Sequence, residues 1–237
     1  MMQQARDFLH HLFQSRSDRL AGMREEFTAR FGGKRCLIVG SAPNAVAPDL
    51  ARIDTCICVN GSPWIAARFG IDRPDLTVIT GHKTMVRDRY DAVASVTRDV
   101  WRDLSTRMLL FIEFGDKAKH ARSVFAEANF KYEIFINLHR KEYAAIIEEV
   151  CGREMAIGDS RISNGIFAAA VAMWAGAREV IFSGFSMEGG HGYIDHGTRR
   201  GHQRGDGRFF QLANNFACRV TTTSSELHRR FGLPLVT

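Results

Sequence analysis

The hydrophobic positions of the chain form short apolar runs, separated by longer segments with helical periodicity. The runs are almost continuously apolar rather than alternating, which is typical of strands covered on both faces. They predict strands over residues 36–39, 55–59, 76–80, 108–112, 133–136 and 180–183, with a weaker strand over 218–221. The intervening segments predict helices over residues 62–69, 84–95, 117–129, 141–150, 164–175 and 206–216.

Strands that alternate with helices indicate an α/β fold with right-handed crossovers. We therefore predict a single Rossmann-like, mostly parallel sheet with helices on both faces, spanning residues 34–237. In such sheets, ligands bind outside the carboxyl ends of the strands. The residues that directly follow each strand are therefore the candidates for a binding site.

Residues 1–33 are predicted to form an amphipathic N-terminal helix that precedes this domain. Apolar residues recur at near-helical spacing between positions 3 and 31: Phe8, Leu12, Leu20, Met23, Phe27 and Phe31. Gly32 and Gly33 end the segment. We favour packing of this helix on the domain or on another subunit, as in a homo-oligomer. Peripheral contact with a membrane surface is the alternative, which the acidic residues of the segment weaken.

The overall charge favours an anionic partner. The chain has 32 lysines and arginines against 26 aspartates and glutamates, a formal net charge of +6. Nucleic acid is the least favoured such partner, because aromatic residues are not interleaved with the arginines in a stacking pattern. The five cysteines form no C-x-x-C pair, no signal-peptide pattern opens the chain, and no apolar run has the length of a membrane span. These features predict a cytoplasmic protein.

The turns after the first three predicted strands contain small and polar residues suited to a ligand. The first is Gly40-Ser41-Ala42-Pro43-Asn44, whose small residues let the backbone approach a phosphate at the start of a following helix. It matches neither the G-x-G-x-x-G pattern nor the P-loop pattern, and a plain strand-to-helix turn explains it equally well. Asn60 offers an amide to a ribose or a base, while Ser62 before Pro63 predicts a helix cap. Thr80-Gly81 follows the third strand.

The richest segment lies between residues 161 and 211. Ser163, Asn164 and Gly165 open an alanine-rich helix. Either Ser163 or Asn164 is expected to cap this helix and to leave backbone N–H groups for an anion. Gly184 and Phe185 then form a small-residue turn after the next strand.

A long polar loop follows over residues 186–206, and loops of this length in compact domains are usually functional or disordered. It contains the histidines His191, His196 and His202. The spacings of five and six match no zinc signature and no cysteine joins them, so we expect no metal. We favour proton transfer by one histidine, with arginines binding phosphate or carboxylate.

Five of these motifs follow one another along the chain: Gly40-Ser41-Ala42-Pro43-Asn44, Val59-Asn60-Gly61, the helix from Ser163-Asn164-Gly165 to Ala172, Glu179-Val180-Ile181-Phe182-Ser183-Gly184, and Gly201-His202. In this order the chain resembles the bacterial CMP-sialic-acid-dependent sialyltransferases of glycosyltransferase family 42. The resemblance covers residues 34–225. No single motif is specific, and their joint order and spacing carry the resemblance.

The resemblance implies a nucleotide-sugar fold, an inverting transfer that needs no metal, and a general base in the Gly-His position, which is His202 here. It also implies that small-residue turns hold the donor nucleotide: Gly40, Ser41, Ala42, Asn60, Thr80, Gly81, Ser163, Asn164, Gly165, Gly184 and Phe185. The chain contains no D-x-D, the usual carboxylate pair for a nucleotide-bound divalent cation. That absence agrees with a reaction that needs no metal.

The chain departs from the family at the two tyrosines that stabilise the leaving phosphate. The first position falls near Glu188, and Tyr193 lies close to the second. The candidates to take over the missing function are Arg199, Arg200, His191 and His196. Tyr193 and Arg199 therefore join His202 as predicted catalytic residues, and the donor stays open between a CMP-linked acidic sugar and another nucleotide sugar.

The leading hypothesis is a metal-independent inverting glycosyltransferase that moves a CMP-linked sugar to a glycan, lipopolysaccharide or capsule acceptor. One alternative is another nucleotide- or S-adenosylmethionine-dependent enzyme on a similar sheet. The other is a non-catalytic nucleotide-binding or assembly protein whose N-terminal helix is the contact surface.

Overall fold

The computed structural model describes residues 16–81, 99–113, 118–157, 162–188 and 202–236. The strands in these ranges are β1 (Arg35–Val39), β2 (Thr55–Val59), β3 (Leu76–Thr80), β4 (Ser105–Glu113), β5 (Lys131–His139), β6 (Glu179–Ser183) and β7 (Arg219–Thr222). They form one sheet in the order β5-β4-β3-β2-β1-β6-β7, and every neighbouring pair is parallel.

The helices of the described ranges are α1 (Arg16–Phe31), α2 (Pro63–Arg68), α3 (Ala118–Glu127), α4 (Arg140–Cys151), α5 (Arg153–Ile157), α6 (Asn164–Trp174), α7 (Gln203–Gln211) and α8 (Ser225–Phe231). Short 3-10 helices occur at Leu50–Arg52 and Ala213–Asn215. The predicted helix over residues 84–95 lies outside the described residues.

Successive side chains of each strand enter two different apolar layers. On one face, Ile38 of β1 belongs to a layer that includes residues of α1, α4, α6 and α7. On the other face, Leu37 packs with Ile65 of α2, and Phe111 of β4 packs with Phe125 of α3. Helices therefore cover both faces, as predicted, which explains why the strands show no alternation of apolar and polar residues.

The predicted strands are present, and two of them are longer than their apolar runs. β4 and β5 have nine residues each. β5 is an edge strand whose exposed positions Lys131 and Glu133 interrupt the hydrophobic pattern. The prediction of a helix over residues 206–216 is wrong in its bounds, because Gly205 and Gly207 weaken the helical signal near the start of α7. The sequence also gave no prediction of α5 and α8.

The described part of the predicted N-terminal helix packs on the domain. Phe27 and Phe31 are fully buried in the layer of α6, and Phe27 meets Trp174 edge-on with ring centroids 6.5 Å apart. Arg19 forms an ion pair with Glu142 of α4 at 3.2 Å. Phe8 and Leu12 lie outside the described residues. No helix within the described ranges is both long and apolar enough to cross a membrane.

The direction in which strands are added reverses beside β1. The chain adds β2 to β5 on one side of β1 and then returns to add β6 and β7 on the other side. The carboxyl ends of β1 and β6 therefore border the crevice at which open α/β sheets bind ligands.

Candidate active site at the carboxyl edge of the sheet

The turns that follow β1 and β6 pack directly against each other. The Gly40 N–H donates to the Ser183 carbonyl and the Ala42 N–H to the Gly184 carbonyl, both at 2.8 Å. A Cβ on Gly40 would lie 2.3 Å from the Gly184 oxygen, and one on Gly184 would lie 2.7 Å from the Gly40 oxygen. Gly184 also has a φ of +70°, which favours glycine. The contact between the two turns therefore requires glycine at both positions, which the sequence analysis placed among the predicted donor-binding residues.

Phe185, which was predicted with the donor-binding residues, fills the space beside two glycines. A Cβ on Gly165 would lie 2.1 Å from the Phe185 ring, and one on Gly40 would lie 2.9 Å from it. The ring also meets Phe182 edge-on, with centroids 4.8 Å apart. Phe185 therefore sets the spacing between the first turn of α6 and the turn after β1.

Three of the predicted donor-binding residues meet through one side chain. The Asn164 Nδ2 donates to Asn60 Oδ1 at 2.9 Å and to Thr80 Oγ1 at 3.1 Å. The first turn of α6 is thereby joined to the ends of β2 and β3. Within the described ranges, the Asn60 Nδ2 donor and the Asn164 Oδ1 acceptor have no partner. A donor and an acceptor held side by side suit the polar groups of a nucleoside.

The backbone of Asn60 is held as firmly as its side chain. Asn60 has a φ of 51°, in the left-handed region that asparagine tolerates better than most residues. Its carbonyl accepts a hydrogen bond from the buried Trp101 indole at 2.8 Å. The Asn60 amide is therefore presented in one orientation.

Ser62 occupies the N-cap position of α2, as predicted, but its side chain bonds to β1 and β2 and not to the helix. Its Oγ donates to the Val39 carbonyl at 2.6 Å and accepts from the Val59 N–H at 2.7 Å, and it makes no capping hydrogen bond to α2. The serine is fully buried between the ends of β1 and β2, where its hydroxyl satisfies backbone groups that water cannot reach. Pro63 is the first residue of α2, as predicted.

The N-terminus of α6 faces this group of residues with unpaired backbone donors. Ser163 caps the helix, since its Oγ accepts from the Ile166 N–H at 3.4 Å. The Ser163 N–H itself donates to Asp206 Oδ1 at 2.7 Å. The Asn164 and Gly165 N–H groups have no acceptor in the part of the chain that the structure describes. Two such donors at the positive end of a helix can bind a phosphate oxygen.

His202 occupies the N-cap position of α7 and is exposed. Its carbonyl accepts the Asp206 N–H at 2.9 Å. Because Asp206 also accepts from Ser163, the His202 end of α7 lies beside the N-terminus of α6. The next residue, Gln203, donates through Nε2 to the Met187 carbonyl at 2.7 Å. The predicted base is therefore carried by a helix turn that contacts the predicted donor-binding helix.

The remaining predicted residues fall into two groups. Ser41 lies half-buried between Gly40 and Ala42, and Gly81 is buried directly after Thr80. Residues of the long loop lie outside the described residues: Tyr193, Arg199, Arg200, His191 and His196. Their roles stay predictions.

The sequence reasoning missed Trp101, Tyr143 and Asp206. Trp101 and Tyr143 carry no local signal, since each reaches the site from a distant element. Asp206 has one: it follows His202 by four residues, one helical turn, but the predicted helix began too late to reveal it. The Tyr143 ring packs against the Phe167 ring, with centroids 4.3 Å apart and the ring planes tilted by 30°. Burial raises the pKa of the Tyr143 phenol, and the Asp206 carboxylate raises it further.

A metal-binding cluster was not expected from the sequence. Among the residues that the structure describes, no group of three or more histidines, cysteines, aspartates or glutamates could hold a metal ion. His191 and His196 are outside that set.

The fold is similar to solved sialyltransferase structures. One is the sialyltransferase CstII from Campylobacter jejuni in complex with the substrate analogue CMP-3FNeuAc, at a TM-score of 0.55 and 12% identity, covering 86% of this chain and 87% of that chain. A second is CstII in complex with a trisaccharide acceptor and CMP, at 0.52 and 12%, covering 84% and 86%. A third is the monofunctional α-2,3-sialyltransferase CstI from Campylobacter jejuni, at 0.55 and 10%, covering 86% and 81%.

Sequence comparisons give no such likeness, since no protein-family model and no curated protein matches the chain. At these low identities the structural likeness establishes the fold. It confirms the resemblance on which the sequence prediction rested, at the level of the backbone.

Proposed function

We propose that the chain is an inverting glycosyltransferase that transfers a CMP-linked acidic sugar to a glycan acceptor without a metal ion. The observation that carries the proposal is the convergence of Asn60, Thr80 and Asn164 on one point at the carboxyl edge of the sheet. The similar structures support the choice of nucleotide, because CstII was solved in complex with CMP and with the substrate analogue CMP-3FNeuAc.

The nucleotide would bind across the ends of β1, β2 and β3. The Asn60 Nδ2 and Asn164 Oδ1 groups supply a donor and an acceptor to the nucleoside. The Asn164 and Gly165 N–H groups supply donors to the phosphate, whose charge the helix end favours. These donors also stabilise the additional negative charge that the phosphate acquires when it leaves the sugar.

His202 is the proposed general base. Its imidazole removes the proton from the acceptor hydroxyl, the acceptor oxygen attacks the anomeric carbon, and the bond from that carbon to the phosphate oxygen breaks. One proton moves to His202 and one CMP leaves, so a single displacement inverts the anomeric centre. Tyr193 and Arg199 are proposed to stabilise the leaving phosphate. The acceptor class, a surface glycan, lipopolysaccharide or capsule, and a cytoplasmic site of action are further parts of the proposal.

The first test measures CMP release from a panel of CMP-sugars with an oligosaccharide acceptor. His202→Ala should lower turnover by about 10²- to 10⁴-fold, the usual contribution of general-base catalysis. CMP affinity should stay close to that of the wild type, because His202 is not among the proposed nucleotide contacts. His120→Ala is the matched control, since His120 is an exposed histidine on α3, on the opposite face of the sheet from α6. Unchanged turnover in His202→Ala would refute the assignment.

Two further measurements separate the alternatives. Thermal shifts with CMP, UDP, GDP and S-adenosylmethionine identify the ligand, because a bound ligand stabilises the folded state by mass action. A shift with S-adenosylmethionine alone would support a methyltransferase, and CMP binding without turnover would support a non-catalytic protein. Activity that EDTA abolishes and a divalent cation restores would contradict the metal-independent reaction. Contact of the N-terminal segment with a membrane or a second copy is a separate expectation from the sequence.

A further inference from the structure

The first turn of α7 is held from two sides by hydrogen bonds. On one side Gln203 Nε2 donates to the Met187 carbonyl at 2.7 Å, and the Met187 N–H donates to Glu226 Oε1 at 2.7 Å. On the other side Asp206 Oδ1 accepts from the Ser163 N–H at 2.7 Å. His202 lies directly before this turn, so the two attachments determine the position of its backbone.

The hydrogen bond from the Ser163 N–H to the Asp206 carboxylate belongs to a strong class of hydrogen bond. A carboxylate that accepts from a backbone N–H forms a charge-assisted hydrogen bond, and its charge is favoured at the N-terminus of a helix. This bond links α7 to α6 across 43 residues of sequence. It also leaves the next two N–H groups of α6, those of Asn164 and Gly165, to a ligand. This bond therefore ties the His202 turn directly to the start of α6, beside the proposed phosphate site.

The far end of α7 is anchored independently of Asp206. Phe209 and Phe210 are buried in the main apolar layer. Their rings meet Phe182 of β6 edge-on, with centroids 6.0 and 5.1 Å apart. Removing the Asp206 carboxylate should therefore loosen the first turn of α7 on the side of α6, while the Gln203 contact with Met187 and the packing of the helix on the sheet remain.

We propose that Asp206 is a positioning residue, which holds the His202 end of α7 in register with the donor-binding turn at Ser163–Gly165. The proposal rests on the proposed function, in which His202 removes the acceptor proton. Asp206 would act through His202 and would not contact the nucleotide.

Hydrogen exchange tests the positioning without any reference to activity. In Asp206→Ala, the amides of Ser163 and of the first turn of α7 should exchange faster, while those of the Phe209–Phe210 end should not change. Asp75→Ala is the matched control, because Asp75 accepts from the Cys56 N–H at 2.9 Å at the opposite edge of the sheet. Unchanged exchange at Ser163 in Asp206→Ala would overturn the proposal.

Kinetics test whether the positioning acts through His202. Asp206→Ala should lower kcat by roughly 10- to 100-fold, the effect of a misplaced catalytic group, with CMP affinity changed by less than about twofold. Asp206→Asn should retain most of kcat, because its Oδ1 can accept the same N–H. In the His202→Ala background, adding Asp206→Ala should change the remaining rate by less than about twofold, since no base is left to position.

The failures of the two proposals are distinguishable. Full turnover in His202→Ala would refute the proposed base whatever Asp206 does. A large loss in His202→Ala together with wild-type kcat in Asp206→Ala would refute the positioning role alone. Multiplicative losses in the double variant would show that Asp206 acts independently of His202, which also overturns the proposal.

Discussion

Asn60 and Asn129 are asparagines in the same left-handed backbone conformation, with φ values of 51° each, and their surroundings differ. The Asn60 side chain accepts from Asn164 beside the carboxyl ends of β2 and β3. The Asn129 side chain donates to Asp103 on the exposed surface. The shared conformation explains asparagine at both positions, and only Asn60 has a place in the proposed site. The two roles of Asn60, backbone and amide, can be separated.

Asn60→Gly should weaken CMP binding and should lower stability only by about 0.5–1.5 kcal/mol, for the hydrogen bond from Asn164 that it removes. Glycine adopts positive φ freely, so the backbone stays in place while the amide is lost. A hydrogen bond contributes about 0.5–1.5 kcal/mol, so the Kd for CMP should rise roughly two- to tenfold. Asn60→Ala should add a strain of about 1–2 kcal/mol, visible as a lower Tm. Calorimetric titration and thermal unfolding measure the two effects.

Asn129→Gly is the control for this pair. It removes an amide from the same backbone conformation at a surface site, so CMP affinity should match the wild type. If Asn60→Gly also binds CMP like the wild type, Asn60 has no part in the nucleotide site.

At the scale of elements, the site depends on how closely the start of α6 approaches the turns after β1 and β6. Gly165 and Gly40 provide the room, and the Phe185 ring occupies it. The contacts of the Phe185 ring make it a spacer between these backbone segments, and its predicted part in donor binding stays a prediction. The position of the Asn164 and Gly165 N–H groups therefore depends on this packing.

Gly165→Ala should destabilise the protein by about 1–3 kcal/mol, the usual cost of overpacking a filled core. The added Cβ would lie 2.1 Å from the Phe185 ring, so the ring or the helix must move. Gly207→Ala is the control in α7, where the nearest atom would be 3.7 Å away; it should stabilise by about 0.5–1 kcal/mol, since alanine favours helices.

Denaturant unfolding measures both variants. In the Phe185→Ala background, Gly165→Ala should cost less than it does in the wild type, because the colliding ring is absent. A Gly165→Ala protein as stable as Gly207→Ala would contradict the close contact.

At the scale of the molecule, the two edges of the sheet use their polar groups differently. At the amino edge, the buried Glu179 accepts from Thr221 at 3.1 Å and pairs with Arg35 and Arg219, so its polar atoms are satisfied within the chain. At the carboxyl edge, the Asn60 Nδ2 and Asn164 Oδ1 groups have no partner among the residues that the structure describes. This difference agrees with the general rule that open α/β sheets bind ligands at the carboxyl ends of their strands.

Stability should fall in alkali because buried thiols resist ionisation. Burial raises the pKa of Cys36 to about 11 and those of Cys151 and Cys218 to about 12, from 9.0. Between these values the unfolded chain loses protons that the folded chain retains, so the free energy of unfolding should be largest below pH 9 and decline as the pH rises toward 11–12.

Urea unfolding at pH 7, 9 and 10.5 checks this dependence. A variant with alanine at the three cysteine positions should show a flatter decline than the wild type. An identical decline in both proteins would assign the alkaline instability to other groups.

The sequence by itself determined the elements and several of the groups at their ends. Continuous apolar runs identified the strands because burial on both faces leaves no polar alternation, and the turns after those runs pointed to Asn60, Thr80 and Asn164. The sequence did not predict the bounds of α7, because Gly205 and Gly207 near its start have low helix propensity. That error also concealed Asp206.

Only the tertiary structure decided which of these ends meet. Asn164 lies 104 residues from Asn60 and 84 from Thr80 in sequence, and Asp206 lies 43 residues from Ser163. Local periodicity reports the burial of a segment and carries no information on strand order. The parallel order, which reverses beside β1, brings the ends of β1, β2, β3 and β6 to one edge, where hydrogen bonds between distant residues complete the candidate site.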